Sequence, residues 1–259
     1  MKICIILGTR PEIIKLFPLI SLFEKKKIKF FIIHTGQHKL FSMEGQFLKD
    51  FNIKPKYVLK TKKKFLPETI KKISEIYKKE RPNYVINQGD TNSVLASSIS
   101  FNSINNRNMK LVHLEAGLRS FDRTMPEEIN RIVADHISDI LLAPTKFAYQ
   151  NLRNENINKN KIYTVGNTIF DAIDKNKKKL NFDILKRFNL RKKNFYLLTL
   201  HRPDMVDKNI NLNRIIKFFI SLSKKDDIKI IFPVHPRTKN SKKYTFFNHY
   251  KSLNKILND

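Results

Sequence analysis

The sequence predicts an α/β protein built on doubly wound parallel sheet. Three observations carry this. Short apolar, β-branched runs of four to seven residues recur along the chain, the kind that form buried strands. Segments with helical spacing of their apolar residues separate them, and strand–helix alternation means parallel pairing through crossovers. Several strands also run into a glycine or a polar residue at their carboxyl ends, where ligands of open α/β sheets bind.

Residues 2–7 (KICIIL) form the first expected strand. Cys4, the single cysteine, sits inside it and reads as a buried structural thiol, which excludes disulfides and points to a reducing, cytoplasmic setting. Gly8 makes the turn. Thr9 to Glu12 has the spacing of a capping box with Pro11 in the first turn, and the helix N-terminus it opens is a ready anion site with Arg10 and Lys15 beside it. Pro18 is expected to kink or end that helix. Residues 29–35 (KFFIIHT) give the second strand, closed by Gly36, Gln37 and His38, and an amphipathic segment follows to about Phe51. A helix over 67–79 precedes the strand 84–87 (YVIN), which ends in Gln88, Gly89, Asp90 and Thr91. Asp90 reads either as the N-cap of a helix from Thr91 to about Phe101 or as a site carboxylate.

The most informative stretch is 113–131, HLEAGLRSFDRTMPEEINR. It leaves the strand 110–114 (KLVHL) through Glu115, passes a basic loop with Arg119, Asp122 and Arg123, and starts a helix at Thr124. Thr124 and Glu127 have capping-box spacing, and Ile129, Ile132, Val133 and Ile137 predict one apolar helix face. Glu127 could serve only as that cap or pair with Arg131 one turn on. Glu115 has no cap to make, and a carboxylate is rarely buried without a partner. Strands at 140–143 and 161–165 continue the alternation. After Gly166 and Asn167 the pattern restarts, with a lysine-rich helix (169–180), a strand at 195–200, a helix near 211–222 and a strand at 228–234. The expected domains are residues 1–174 and 175–259, the second holding only two clear strands.

Of 259 residues, 51 are basic and 23 acidic, a net charge of +28. The lysines are spread over separate surface runs and no aromatic-interleaved basic ribbon appears, so specific nucleic-acid binding is not expected, although such a field attracts anionic nucleotides. No apolar run reaches membrane-spanning length, and the histidines lack metal-ligand spacing.

The stretch 113–131, together with GTRPEIIK (8–15), HTGQH (34–38), QGDTNSVLA (88–96), VGNTIFDA (165–172) and LHRPDMVD (200–207), closely resembles the non-hydrolysing UDP-N-acetylglucosamine 2-epimerases, with the motifs in the family's order. The resemblance implies two Rossmann-like domains of GT-B type, the second one incomplete here. It implies a homodimer and interconversion of UDP-N-acetylglucosamine and UDP-N-acetylmannosamine without a cofactor, by elimination and re-addition of UDP through 2-acetamidoglucal. It places Asp90, Glu115 and Glu127 around the reacting ring and makes Arg10, Lys15 and His201 phosphate or sugar contacts, with His201 counted among the catalytic groups. Gln37, His38 and His235 match positions of a second, activating nucleotide-sugar site in some members. Two departures stand out. The family's His-Arg-x-Glu-Asn is here His201-Arg202-Pro203-Asp204-Met205, and the family's uridine-gripping serine-glycine-glycine segment and closing helix are absent. The expectation is therefore a C-terminally truncated epimerase feeding surface-polysaccharide synthesis; the alternatives are an inactive or partner-dependent remnant of one, and a related GT-B glycosyltransferase.

Overall fold

The structure, a computed structural model, describes residues 1–37, 41–61, 64–104, 108–177, 183–200 and 209–233. It divides into two compact units, Met1–Lys178 and Lys179–Asp259.

The first unit is a doubly wound, Rossmann-like sheet. Its strands are β1 (Ile3–Leu7), β2 (Phe30–His34), β3 (Tyr57–Val58), β4 (Tyr84–Gln88), β5 (Lys110–Leu114), β6 (Ile140–Ala143) and β7 (Ile162–Thr164). They lie in the order β3-β2-β1-β4-β5-β6-β7, every pair parallel. The order reverses direction between β1 and β4. That switch point opens a crevice at the carboxyl ends of the strands.

The sequence dictates this layering. Strand β1 is apolar throughout because a central parallel strand is covered on both faces. Ile3, Ile5 and Leu7 pack with Ile13, Leu16 and Ile20 of α1 (Arg10–Lys25). Cys4 and Ile6 point the other way, among Ile73, Ile76 and Tyr77 of α3 (Phe65–Glu80) and Ala96 of α4 (Asn92–Asn102). A third cluster joins β6 to α6 (Lys146–Asn154) through Leu141, Ala143, Ala148 and Leu152. Helix α2 (Phe41–Asp50) lies between β2 and β3, α5 (Pro126–Ile137) between β5 and β6, and α7 (Thr168–Asn176) packs on α1. Pro18 does not end α1, which runs on for seven more residues.

In the second unit α8 (Asp183–Arg187) precedes β8 (Phe195–Leu197), α9 (Asn209–Asp226) and β9 (Lys229–Ile231). The two strands pair in parallel, and Leu198, Ile216 and Phe232 form their small core.

Helix α5 corrects two expectations. It begins at Pro126 with Met125 as N-cap and no side-chain cap bond. Thr124 does not cap it; its N–H and hydroxyl both donate to Asp122 Oδ1, at 2.9 and 2.6 Å. Its buried face is also not the apolar one. Glu128, Asn130, Ala134 and Asp135 are buried, while Ile129 is 40% exposed. The reason lies in the site.

Candidate active site

Four strand ends bring the site together. After β1, Gly8 turns the chain so tightly that a Cβ there would sit 2.0 Å from Thr35 Oγ1 and 2.2 Å from Ser93 Oγ. Glu12, in the first turn of α1, is buried and reaches back to accept from Gly8 N (2.7 Å) and Thr9 Oγ1 (3.0 Å). The expected capping box is thus half formed, since Thr9 makes no side-chain cap bond. The Glu12 carboxylate thus sits at the entrance to α1, on the Gly8 N–H and the Thr9 hydroxyl. Glu12 Oε1 accepts from Thr91 Oγ1 as well (2.6 Å), which stitches the loop after β1 to the loop after β4. Burial pushes its carboxyl upward despite the bonds from Thr91, Gly8 and Thr9.

One turn further along α1, Lys15 Nζ grips Glu115 with both carboxylate oxygens in reach, at 2.6 and 2.8 Å. Both side chains are largely buried. Gln88, the last residue of β4, donates to Glu115 Oε2 at 3.2 Å. Glu115 itself has φ +70, a left-handed conformation that a non-glycine residue adopts at a cost and that collects at functional sites. The turn continues into Gly117, also at positive φ, where a Cβ would lie 2.2 Å from Ala148 O.

Asp90 does not cap α4. Thr91 does, accepting from Val94 N at 3.3 Å. Asp90 instead pairs with Arg131 of α5, so Arg131 reaches across to the β4 loop and to Glu128 (3.3 Å) and does not pair with Glu127. Asn130 donates to Asp90 O at 2.9 Å. Glu128 accepts from the N–H groups of Ser120 (2.9 Å) and Phe121 (3.0 Å) and from the Ser120 hydroxyl (3.0 Å). Burial would raise its carboxyl, but these donors and the nearby Arg119 hold it below the usual range. The polar inner face of α5 is therefore spent on fixing the loops that carry Asp90 and Glu115.

Of the other expected site residues, Glu127 and Arg10 are exposed, Arg10 with its guanidinium 6.0 Å from the Phe47 ring centroid. Gln37 accepts from Ser93 N (3.0 Å) and Ser93 Oγ (2.8 Å) at the start of α4. His38, His201 and His235, with Asp204 and Met205, lie outside the described residues. Sequence reasoning missed the roles of Glu12, Glu128, Arg131, Asp135 and His113. For His113 the available signal was a ring-nitrogen residue inside a strand otherwise expected to be apolar; Glu128, Arg131 and Asp135 lie on the side of α5 expected to face solvent, and gave none. Arg119, read as part of an open basic loop, is instead held in ion pairs with Asp135 (2.7 Å) and Glu155 (2.6 Å).

A doubly wound sheet with paired carboxylates and cations at its switch point defines a ligand-binding α/β enzyme domain. Comparison with known proteins makes this specific. The family model for UDP-N-acetylglucosamine 2-epimerase matches residues 21–257. A UDP-N-acetylglucosamine 2-epimerase of Methanocaldococcus jannaschii is 44% identical over 99% of this chain and 72% of its own length. The UDP-2,3-diacetamido-2,3-dideoxy-D-glucuronate 2-epimerase of Pseudomonas aeruginosa is 34% identical, over 92% of this chain and 68% of that protein. The crystal structure of the M. jannaschii enzyme in complex with UDP-GlcNAc and UDP superposes with a TM-score of 0.85 at 42% identity, covering 98% of this chain and 72% of that one. The chain belongs to the UDP-N-acetylglucosamine 2-epimerase family.

Proposed function

We propose that the chain interconverts UDP-N-acetylglucosamine and UDP-N-acetylmannosamine by eliminating and re-adding UDP. The proton on sugar carbon 2 has no adjacent carbonyl to acidify it. In the proposed route a carboxylate takes that proton, the C1–O bond breaks, and its electron pair leaves on the β-phosphate oxygen of UDP. The C1=C2 double bond of 2-acetamidoglucal remains. UDP oxygen then re-attacks C1 while a proton is delivered to C2 on the other face. Such a route needs carboxylates as base and acid, and cations for the departing diphosphate.

The observation that carries this reading is the Lys15–Glu115 pair at the crevice beyond β1, β4 and β5, with Asp90 on the loop after β4 paired to Arg131 of α5. We assign Asp90, Glu115 and Glu127 to the reacting ring, His201 as a further catalytic group, and Arg10, Lys15 and His201 to the phosphates and sugar. Gln37, His38 and His235 we assign to a second nucleotide-sugar site that activates the first. N-acetylglucosamine is favoured over more modified sugars because the 44% identical relative bears that name. A homodimer working in the cytoplasm and supplying surface-polysaccharide synthesis goes with this reading. Among the described residues no helix is long and apolar enough to cross a membrane.

The test is incubation of the chain with UDP-N-acetylglucosamine, without nicotinamide or metal, followed by NMR of the anomeric protons. Appearance of the manno signals is expected; a strict need for added nicotinamide would contradict the route.

A further inference from the structure

His113 stands fourth in β5, between Asn87 of β4 and Leu141 of β6, and is fully buried. A central parallel strand normally carries an aliphatic residue there. Both ring nitrogens face acceptors. Nδ1 lies 2.6 Å from Asp135 Oδ1 and Nε2 lies 2.8 Å from the Gly89 carbonyl oxygen. A neutral imidazole has one N–H and one bare lone pair. Either neutral tautomer would press a lone pair against an oxygen, a carboxylate in one case and a carbonyl in the other. Asp135 is held ionised below the usual range despite its burial, by the ring itself and by Arg119, so only the imidazolium satisfies both contacts.

What those contacts hold is the site. Gly89 directly precedes Asp90, and its N–H donates to Leu114 O at 3.1 Å. The second oxygen of Asp135 accepts from Gly117 N (3.1 Å), which fixes the strained turn that Glu115 opens, and from Arg119 (2.7 Å). We propose that His113 is a positioning residue, a standing imidazolium that clamps Gly89 on one side and, through Asp135, Gly117 on the other, so that Asp90 and Glu115 are held at the crevice. Stability alone does not account for such a group, since a well-packed apolar residue in place of a buried ion pair is often neutral or better.

Burial works against the charge, but Asp135, the Gly89 carbonyl and Glu115 on the same strand outweigh it and hold the ring above its ordinary 6.5. Arg119, beyond Asp135, opposes them. Because the folded value is raised, the contribution is complete below about 6.5 and is lost as pH rises through the folded value.

The ring is read directly by NMR of the chain labelled with 15N-histidine. The expected result at pH 7 is a solvent-protected ring with protons on both nitrogens, absent from the spectrum of His113→Gln. That variant, folded by circular dichroism, should lose about 100-fold in kcat with KM little changed, the size of effect that slight misplacement of reacting groups produces. This second arm rests on the proposed function; the ring measurement does not. A neutral His113 ring at pH 7 overturns the proposal, and so does a folded His113→Gln with unaltered kcat. Should the variant not fold, the protected ring in the unaltered chain still decides. A charged ring in a chain that turns nothing over would uphold the clamp and count against the activity.

Discussion

Glu115 combines features that single residues seldom share: a left-handed backbone, a lysine on both oxygens and a place at a strand's carboxyl end. Replacing it by glutamine keeps volume and removes the titratable group. Glu115→Gln should leave the circular dichroism unchanged and slow epimerisation by at least about 100-fold, the span general acid–base groups contribute. Normal turnover would remove Glu115 from the chemistry. Glu80 illustrates the opposite case, a carboxylate whose work is structural. Lys2, Lys56 and Tyr57 converge on it and pull its carboxyl down to about 2. A depressed folded value contributes stability above the ordinary value near 4.5, and that contribution is lost as pH falls through about 2. With both lysines half in water, Glu80→Gln should cost about 1 kcal/mol at pH 7. The gap between the two proteins should close as pH falls from 4.5 towards 2. A gap that stays constant to pH 2 would assign the loss to packing.

At the scale of elements, every described strand except the two-residue β3, and most helices, were legible, because the central strands are apolar on both faces and most helices are amphipathic. The crevice was legible too, since Lys15, Asp90 and Glu115 all follow strand ends. Helix α5 was not. Its isoleucines and valine have helical spacing, but the face turned inward is the one whose Glu128, Asn130 and Asp135 find partners in Ser120, Asp90 and His113. Periodicity records apolar spacing and carries no information about a distant partner on another strand. The capping box at Thr124 failed for a related reason, because Asp122 two residues back competes for the same donor groups. Local chemistry gives two further predictions. Helix α3 closes on Arg81, exposed and left-handed at φ 43, with its N–H on Tyr77 O at 2.9 Å. Arg81→Gly should raise stability by about 1 kcal/mol, since glycine adopts that conformation without strain. A lower melting temperature would contradict this. Gly117→Ala should cost more than about 2 kcal/mol, because the added carbon meets the Ala148 carbonyl, which cannot yield as the Leu152 side chain beside it could. Unfolding titrations in urea would show it as a lower midpoint.

For the whole molecule, a net charge of +28 makes association with a nucleotide diphosphate sensitive to salt. The chain spans 72% of the M. jannaschii relative's length, and its first unit carries the described carboxylates, Lys15 and Arg131 within one doubly wound sheet. In the proposed reaction these groups serve an elimination across carbons 1 and 2 followed by re-addition. That route breaks the carbon–hydrogen bond in every turnover, so hydrogen from the solvent must enter. The most direct measurement is epimerisation in heavy water, with the sugar read by proton NMR and mass. Deuterium is expected at carbon 2 of the product and, over time, of recovered substrate. Product formed with carbon 2 still fully protiated would contradict it.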